Sequence, residues 1–557
     1  MGPHPPVSPD RPGVPLTDGF APFDWAPPRW GARVAVEQLH DAPFLMYSHR
    51  PHRLSEVLAL GHRWGSRRHV VQGDREVSFA GLLAGVGRKA LRLAESGITA
   101  GDRVLILGWN SPDWIINFWA CQQVGAVPAL ANAWWSDVEV REAIELLQPV
   151  AALADGRGVT KLTPGCRRIG WETDTSAGEL PAIGPANDGR GTAGENAPAV
   201  IIFTSGSAGR PKAVELSHRS LLANLQMLLQ VTRRLPHEVD EQSGEIVLHT
   251  GPLFHVGGPQ MLLRSTAIGN TLILPSGRFD AAEVLALIER HRIARWSAVP
   301  TMVTRLLDHP DLQMRDLGSL RALTIGGAPV HAELLKRIGR ELPGVQAGVP
   351  TGYGLTENGG QATAASGRDT LKRPGSAGKP LPCVEIQFKR REELPDSEVL
   401  IRSPTQMTQY IGVGETPIDG DGWLHTGDLG HLDDEGHLWI TGRAKDLIIR
   451  GGENIAPASV ERALSSVQGV IEAAVIGVPH PELGEEVCAF VVVAGGGPTV
   501  ETLSGQLRGQ LASFAVPTVW YVQPEPLPTN QTGKIDKPAL AARACGLLAR
   551  PDAGSAQ

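Results

Sequence analysis

Residues 204–212 bring together groups that suit a polyphosphate. Thr204-Ser-Gly-Ser-Ala-Gly209 is a run of six small residues, and Lys212 follows Arg210 and Pro211. Gly206 and Gly209 let the backbone turn tightly and aim several N–H groups one way. Thr204, Ser205 and Ser207 add hydroxyl donors, and Lys212 adds a positive charge. Donors of this kind after a strand match phosphate oxygens. A flexible Gly/Ser linker is the plain alternative, but it would not stand between a buried strand and a helix capped by Ser217. A second stretch, Thr351-Gly-Tyr-Gly-Leu-Thr-Glu357, offers complementary groups. Tyr353, with Gly354 beside it, can lay its ring on a base, Thr356 can donate to a phosphate, and Glu357 can hold Mg²⁺.

The nucleotide-kinase loop needs four residues between its glycines and then Gly-Lys-Ser/Thr. Here two residues separate Gly206 from Gly209, and Lys212 follows Arg-Pro, so that loop is excluded. The string TSGSAGRPK instead resembles the phosphate loop of the adenylate-forming superfamily. That group includes acyl-CoA synthetases, aryl-CoA ligases, luciferases and the adenylation domains of peptide synthetases. The family usually has Thr where this chain has Ala208. One hydroxyl contact is therefore missing, while the flanking hydroxyls and Lys212 remain.

The resemblance implies roles for residues whose types alone are uninformative. In Thr250-Gly-Pro-Leu-Phe-His-Val-Gly-Gly258, His255 corresponds to a pocket residue near the reacting carboxylate, flanked by glycines that allow close approach. Ala298-Val-Pro-Thr-Met302 corresponds to an acid-pocket wall, and Phe254, Val256 and Met302 make that pocket mostly apolar. The turn Gly326-Gly-Ala-Pro329, with Gly327, Ala328 and Pro329, corresponds to a loop against the nucleotide base. Asp428, in Trp423-Leu-His-Thr-Gly-Asp428, resembles the family's ribose-binding carboxylate, whose two oxygens match a vicinal diol. Arg443 corresponds to a further nucleotide contact, Lys445 to the hinge, and Gly451-Gly452 to a turn that passes near CoA. Lys534, on the loop Thr529-Asn-Gln-Thr-Gly-Lys534, matches the C-terminal catalytic lysine.

Positioning these residues takes an alternation of strands and helices. Ala199–Phe203 is an apolar, β-branched run that reads as a buried strand, as does 103–108. Helices are expected over 54–64, 79–96, 113–124 and 280–293, the last with a capping-box-like Asp280 and Glu283. An apolar stripe at Leu221, Leu222, Leu225, Leu228 and Leu229 marks a core helix. Leu320-Arg-Ala-Leu-Thr-Ile325 alternates like a strand, whereas 375–382 reads as a structural turn and 110–128 as packing. Beyond Lys445, a separate small unit is expected, with helices at 457–467 and 499–511 and strands at 472–478 and 487–493. The expected fold is α/β: a large N-terminal domain with layered sheets and a small, mobile C-terminal α+β domain joined by a hinge. The expected bounds are a proline-rich extension over 1–30, a large domain over 31–443, a lid over 444–548 and a tail over 549–557. Residues 181–194 read as a surface linker.

Composition excludes several classes. The formal charge of −7 over 557 residues, without runs of like charge, gives no nucleic-acid face. No apolar stretch is long enough to span a bilayer. The first thirty residues lack the apolar segment of a signal peptide. Five scattered cysteines without Cys-x-x-Cys spacing point to a reducing compartment, so a cytoplasmic protein is expected. A homodimer is the default assembly.

The resemblance implies an ATP-dependent activation of a carboxylic acid. The acid, a fatty or aryl acid, is coupled to the α-phosphate of ATP as an acyl-AMP, with Mg²⁺ near Glu357, and the acyl group then passes to CoA. Lys534 would meet the charge that develops on the α-phosphate, and the small domain would then turn about Lys445 to admit the thiol. Two rivals keep the adenylation step: loading of a carrier protein, and activation of nitrite for transfer to an arylamine. A third, a non-catalytic nucleotide-binding relative, is expected to have lost Lys534, Glu357 or Asp428, and all three are present.

Overall fold

The computed structural model describes residues 30–39, 41–176, 194–204, 212–328, 330, 332–345, 349–392, 394–530 and 533–548. Among these, the first sheet runs in the spatial order Gln409–Ile411, Lys212–Ser217, Pro198–Thr204, Val127–Ala131, Arg103–Leu107, Ala151–Ala154 and Arg168–Ile169. The strands from Pro198–Thr204 to Arg168–Ile169 pair in parallel, and Lys212–Ser217 and Gln409–Ile411 add an antiparallel edge. A second sheet orders Ala322–Ile325, Arg295–Ala298, Ile246–His249, Thr271–Ile273, Arg68–Gln72 and Arg75–Ser78, parallel except at the last strand.

Strand periodicity explains the layering. Val104 and Ile106 face a core shared with Val247 and Leu272 of the second sheet, while Leu105 and Leu107 face the other way, onto the helix Asp137–Leu147. Both faces are covered, so these strands read as continuous apolar runs. Between the sheets lies Pro112–Val124, with every residue buried. Ser111 accepts from the Trp114 amide at its start, Pro112 opens its first turn, and Gly125 ends it in the left-handed region. The helix His218–Val231 is capped by Ser217, which accepts from the Ser220 amide at 3.1 Å.

Two further units hold the site. Four antiparallel strands, Glu385–Lys389, Ser397–Arg402, Leu424–Leu432 and Leu438–Arg443, form a third sheet. The short turn Ala444–Asp446 leads from it into the small C-terminal sheet. There, Val470–His480 pairs antiparallel with Gly484–Val493, and Val519–Gln523 adds in parallel, which makes this unit α+β.

Most expected elements form within a few residues of their expected ends. The helix Ala281–His291 keeps its Asp280 cap, but Glu283 turns away from a capping box and accepts from the Ser276 amide at 2.8 Å. Among the elements that were not expected are the hairpin of Val34–Leu39 with Ala42–Tyr47, the helix Asp137–Leu147, the strand Val519–Gln523 and the helix Lys537–Leu548. The linker expected over 181–194 falls almost wholly outside the described residues, as do the 1–30 extension, apart from Trp30, and the 549–557 tail.

Candidate active site

Asp428 and Arg443 lie on adjacent strands of the third sheet and face each other in its register. Asp428 is 2% exposed, and its two oxygens are both engaged. Arg443 Nε stands 2.7 Å from Oδ1, and Tyr353 Oη donates to Oδ2 at 2.5 Å. Burial, and then the Asp428 charge, push the Tyr353 phenol well above its ordinary range, so it remains a donor. Burial works against the charge on Arg443, but Asp428, Tyr353 and Asp446 together more than offset it and the guanidinium stays charged. Each carboxylate oxygen has a second lone pair, so the pair can still accept from a vicinal diol.

The glycines around Tyr353 have a steric reason. A Cβ at Gly352 would lie 2.4 Å from the Thr363 carbonyl oxygen, and one at Gly354 2.3 Å from that of Gly360. Only glycine lets this turn press against its neighbour and present the phenol to Asp428. Thr356 and Glu357 follow in the 3₁₀ turn Thr356–Asn358.

Glu357 belongs to a second group at the edge of the first sheet. Tyr410 Oη donates to Glu357 Oε1 at 2.9 Å, and Lys212 Nζ sits 4.7 Å from the centre of the Tyr410 ring. Strand register builds this group. Lys212 pairs with Thr204, the last residue of its strand, and Val214 pairs with Tyr410. Thr204 and Lys212 thus flank the glycine loop expected to hold phosphates. Ser205, Gly206, Ser207 and Gly209 of that loop lie outside the described residues, as does Pro329. Sequence reasoning missed Tyr410, which sits on a three-residue strand too short to show a pattern.

Lys534 comes from the small domain, yet its side chain lies over Gly327 of the large one. A Cβ at Gly327 would stand 3.1 Å from Lys534 Cε, and its φ of +79° favours glycine independently. Burial and then Arg443 lower the Lys534 pKa, and Asp428 opposes that shift. His255 is neighbour to the same ammonium: burial and then Lys534 hold its imidazole at about 4. It is therefore neutral at pH 7, and its Nε2 is buried without a hydrogen-bond partner. Ala328 is half-buried beside Gly327. Lys445 is exposed in the turn Ala444–Asp446. Gly451 and Gly452, at φ of +58° and +89°, close the two-residue hairpin between Ile448–Arg450 and Glu453–Ile455.

Next to this group is a cavity of about 270 Å³, walled by Trp109, Trp134, Phe254, Phe279 and Met302 of the large domain and closed by Thr529, Asn530 and Gly533 of the small one. Trp134 meets both Trp109 and Phe254 edge to face, at 5.4 and 5.3 Å between ring centres. Phe254 and Met302 are on its wall as the sequence suggested, whereas His255 and Val256 are not. Trp109 and Trp134 leave separate strands, and no spacing in the sequence links them.

The AMP-binding enzyme profile matches residues 59–411, and the AMP-binding enzyme C-terminal domain matches 459–534. The chain belongs to the AMP-binding enzyme family. Among the relatives of this family member is a feruloyl-CoA synthase from Amycolatopsis, 35% identical over 84% of this chain and 94% of its own. The 2-succinylbenzoate–CoA ligase of Bacillus licheniformis is 33% identical over 84% of this chain and 95% of its own. Among solved structures, the o-succinylbenzoate CoA synthetase of Bacillus subtilis with its acyl-adenylate superposes with a TM-score of 0.71, at 28% identity, over 87% and 97% of the two chains. MatB of Rhodopseudomonas palustris with ATP gives 0.73 at 27% identity, over 87% and 98%.

Proposed function

We propose that this enzyme, an AMP-forming acid–CoA ligase, activates a compact aromatic acid, with Lys534 as the catalytic cation. The observation that carries the reading is the place of Lys534: a residue of the small domain whose side chain lies over Gly327 of the large one, with Arg443 and His255 near enough to interact with its charge and the aromatic cavity alongside. In the first step a carboxylate oxygen attacks the α-phosphorus of ATP, the bond to the bridging oxygen breaks, and pyrophosphate leaves with its electron pair. Negative charge grows on the α-phosphate oxygens, and Lys534 and Thr356 are the donors assigned to them. Asp428 takes the ribose diol, Tyr353 with Gly354, Gly327, Ala328 and Pro329 lines the base, and Arg443 steadies Asp428. Thr204 to Gly209 and Lys212 take the β- and γ-phosphates.

Glu357 fits Mg²⁺. Among the described residues no group of three or more His, Cys, Asp or Glu could hold a metal alone. Mg²⁺ carried by phosphates needs only one or two protein carboxylates, and Glu357, oriented by Tyr410, supplies one. Bound there, the ion would offset phosphate charge.

In the second step the thiol of CoA attacks the acyl carbon, loses its proton and displaces AMP. Lys534 now blocks the approach, so the small domain must turn. We place the hinge at exposed Lys445, between the third sheet and the small one, and assign Gly451-Gly452 to the CoA side. This puts the boundary between the 31–443 and 444–548 units. A cytoplasmic setting is supported by the cysteines, which are all free. Among the described residues no helix is long and apolar enough to cross a membrane.

Rigid aromatic walls favour a flat acid, and about 270 Å³ lies just below the usual range of ligand pockets, ~300–1,000 Å³. The relatives named for feruloyl and succinylbenzoyl thioesters accord with that. A panel of ferulate, 2-succinylbenzoate and palmitate, with ATP and Mg²⁺, should release pyrophosphate fastest with an aryl acid and yield a thioester only when CoA is added. Absence of acid-dependent pyrophosphate release, or preference for palmitate, would contradict the reading.

A further inference from the structure

The helix Pro300–Leu307 belongs to the large domain, yet it grips the loop that carries Lys534. Thr301 Oγ1 donates to the carbonyl of Gly533, the residue before the lysine. One turn on, Arg305 Nη2 stands 3.4 Å from Thr529 Oγ1 and 3.5 Å from the Leu527 carbonyl. Their four-residue spacing sets both side chains on one face of the helix. Met302 and Val299 fill the space between, each 3.0 Å from where a Cβ on Gly533 would be.

The small domain holds the other side of the same loop. The Leu527 amide donates to buried Glu472 Oε2 at 2.9 Å, so the backbone of this one residue is held by a carboxylate of its own domain at its N–H and by a guanidinium of the other at its carbonyl. Burial raises the Glu472 pKa, and the charge of Arg305 opposes the rise. The described residues of the loop are also tied to one another: the Lys534 amide donates to Asn530 Oδ1 at 3.1 Å, the Asn530 amide donates back to the Lys534 carbonyl at 2.7 Å, and Thr529 bridges Ile535. Thr301 and Arg305 are the loop's mount on the large domain, and the Lys534 side chain it carries lies beside Gly327.

We propose that Thr301 and Arg305 are positioning residues that seat Lys534 for acyl-adenylate formation and are released for thioester formation. The inference rests on the two-step reading above, in which Lys534 must be present for one step and gone for the other. Both residues also border the aromatic cavity. A defect in acid binding must therefore be told apart from a defect in seating.

Two half-reactions, the first run at saturating acid, separate them. Formation of acyl-AMP is followed by rapid quench with ATP, Mg²⁺ and the best acid of the panel. Thioester formation is followed from pre-made acyl-AMP and CoA. For Arg305→Met and Thr301→Val, the first rate should fall, by roughly ten- to hundredfold for Arg305→Met, the size of a lost charge-assisted hydrogen bond. The second should change by no more than about twofold, a shift of a few tenths of a kcal/mol. Arg305→Lys should recover part of the loss. Amide hydrogen exchange over 527–534 in the free chain should quicken in Arg305→Met. Equal losses in both steps, or unchanged exchange, would overturn the proposal. Lys534→Ala is the control. If it abolishes acyl-AMP formation while Arg305→Met does not slow it, only the seating role fails. If Lys534→Ala leaves the step intact, the two-step reading fails first.

Discussion

Asp428 and Lys534 stand in one site, but different things hold them. Asp428 is fixed by strand register, faces Arg443 across a ladder and takes a hydrogen bond from Tyr353 on a turn that glycines press into place. Lys534 reaches the site across a domain boundary and rests on one glycine and two side chains of a neighbouring helix. If the small domain turns about Lys445 as proposed, the nucleotide end is made of contacts that the rotation would leave alone, and the lysine end of contacts that it would break. On the proposed two-step reading, an enzyme that must hold one intermediate through two chemistries needs that division: a fixed grip on AMP and a removable charge at the α-phosphate.

Predictions follow from setting one end against the other. The largest effect belongs to the movable end: Lys534→Ala should slow acid-dependent acyl-AMP formation by about 10²–10³-fold, as for loss of a preorganised donor. At the fixed end, Asp428→Asn should raise KM for ATP by roughly ten- to hundredfold, since hydrogen bonds to a charged group are lost. It should also weaken retention of the adenylate in the second step, because the same grip serves both. Steady-state kinetics and adenylate binding would show this, and a defect confined to the first step would erase the contrast.

The two ends should also differ in pH response. Burial and Arg443 depress Lys534, so its proton leaves at a lower pH than the ~10.4 of a free lysine. Activity that needs the charged form is then complete below that depressed value and declines as pH rises through it. The alkaline limb of kcat/KM for ATP should fall below the ordinary lysine range and be absent from thioester formation with pre-made acyl-AMP. His255, held at about 4, should add no inflection near neutrality. The smallest change is Tyr410→Phe, which removes the bond that orients Glu357. Loss of one neutral donor should raise the Mg²⁺ needed for half-maximal rate by about two- to tenfold.

The fixed end was easier to read in the sequence than the movable one. Its residues sit beside glycines and at the ends of apolar runs, where local sterics leave a mark: the Ala199–Phe203 run became Pro198–Thr204, and Tyr353 sits between two glycines that backbone contact demands. Even there, the pairing of Asp428 with Arg443 was hidden by a register shift between Leu429 and Gly430. Lys534 could be picked out by its loop, but not its mount. Thr301 and Arg305 look like ordinary helix residues until a second domain packs on them. The aromatic cavity was half legible, through Phe254 and Met302, because Trp109 and Trp134 meet only once separate strands align. The helix Lys537–Leu548 was missed because Ala-rich residues give no clear stripe, although Leu540 and Ala544 bury against Ala474 and Ile476.

The central claim, that Lys534 serves one step only, is tested most directly by the ratio of the two half-reaction rates in Lys534→Ala. The account predicts that acyl-AMP formation drops by about 10²–10³-fold while thioester formation from pre-made acyl-AMP stays within about twofold of the parent enzyme. An equal fall in both rates, or an unimpaired first step, would contradict it.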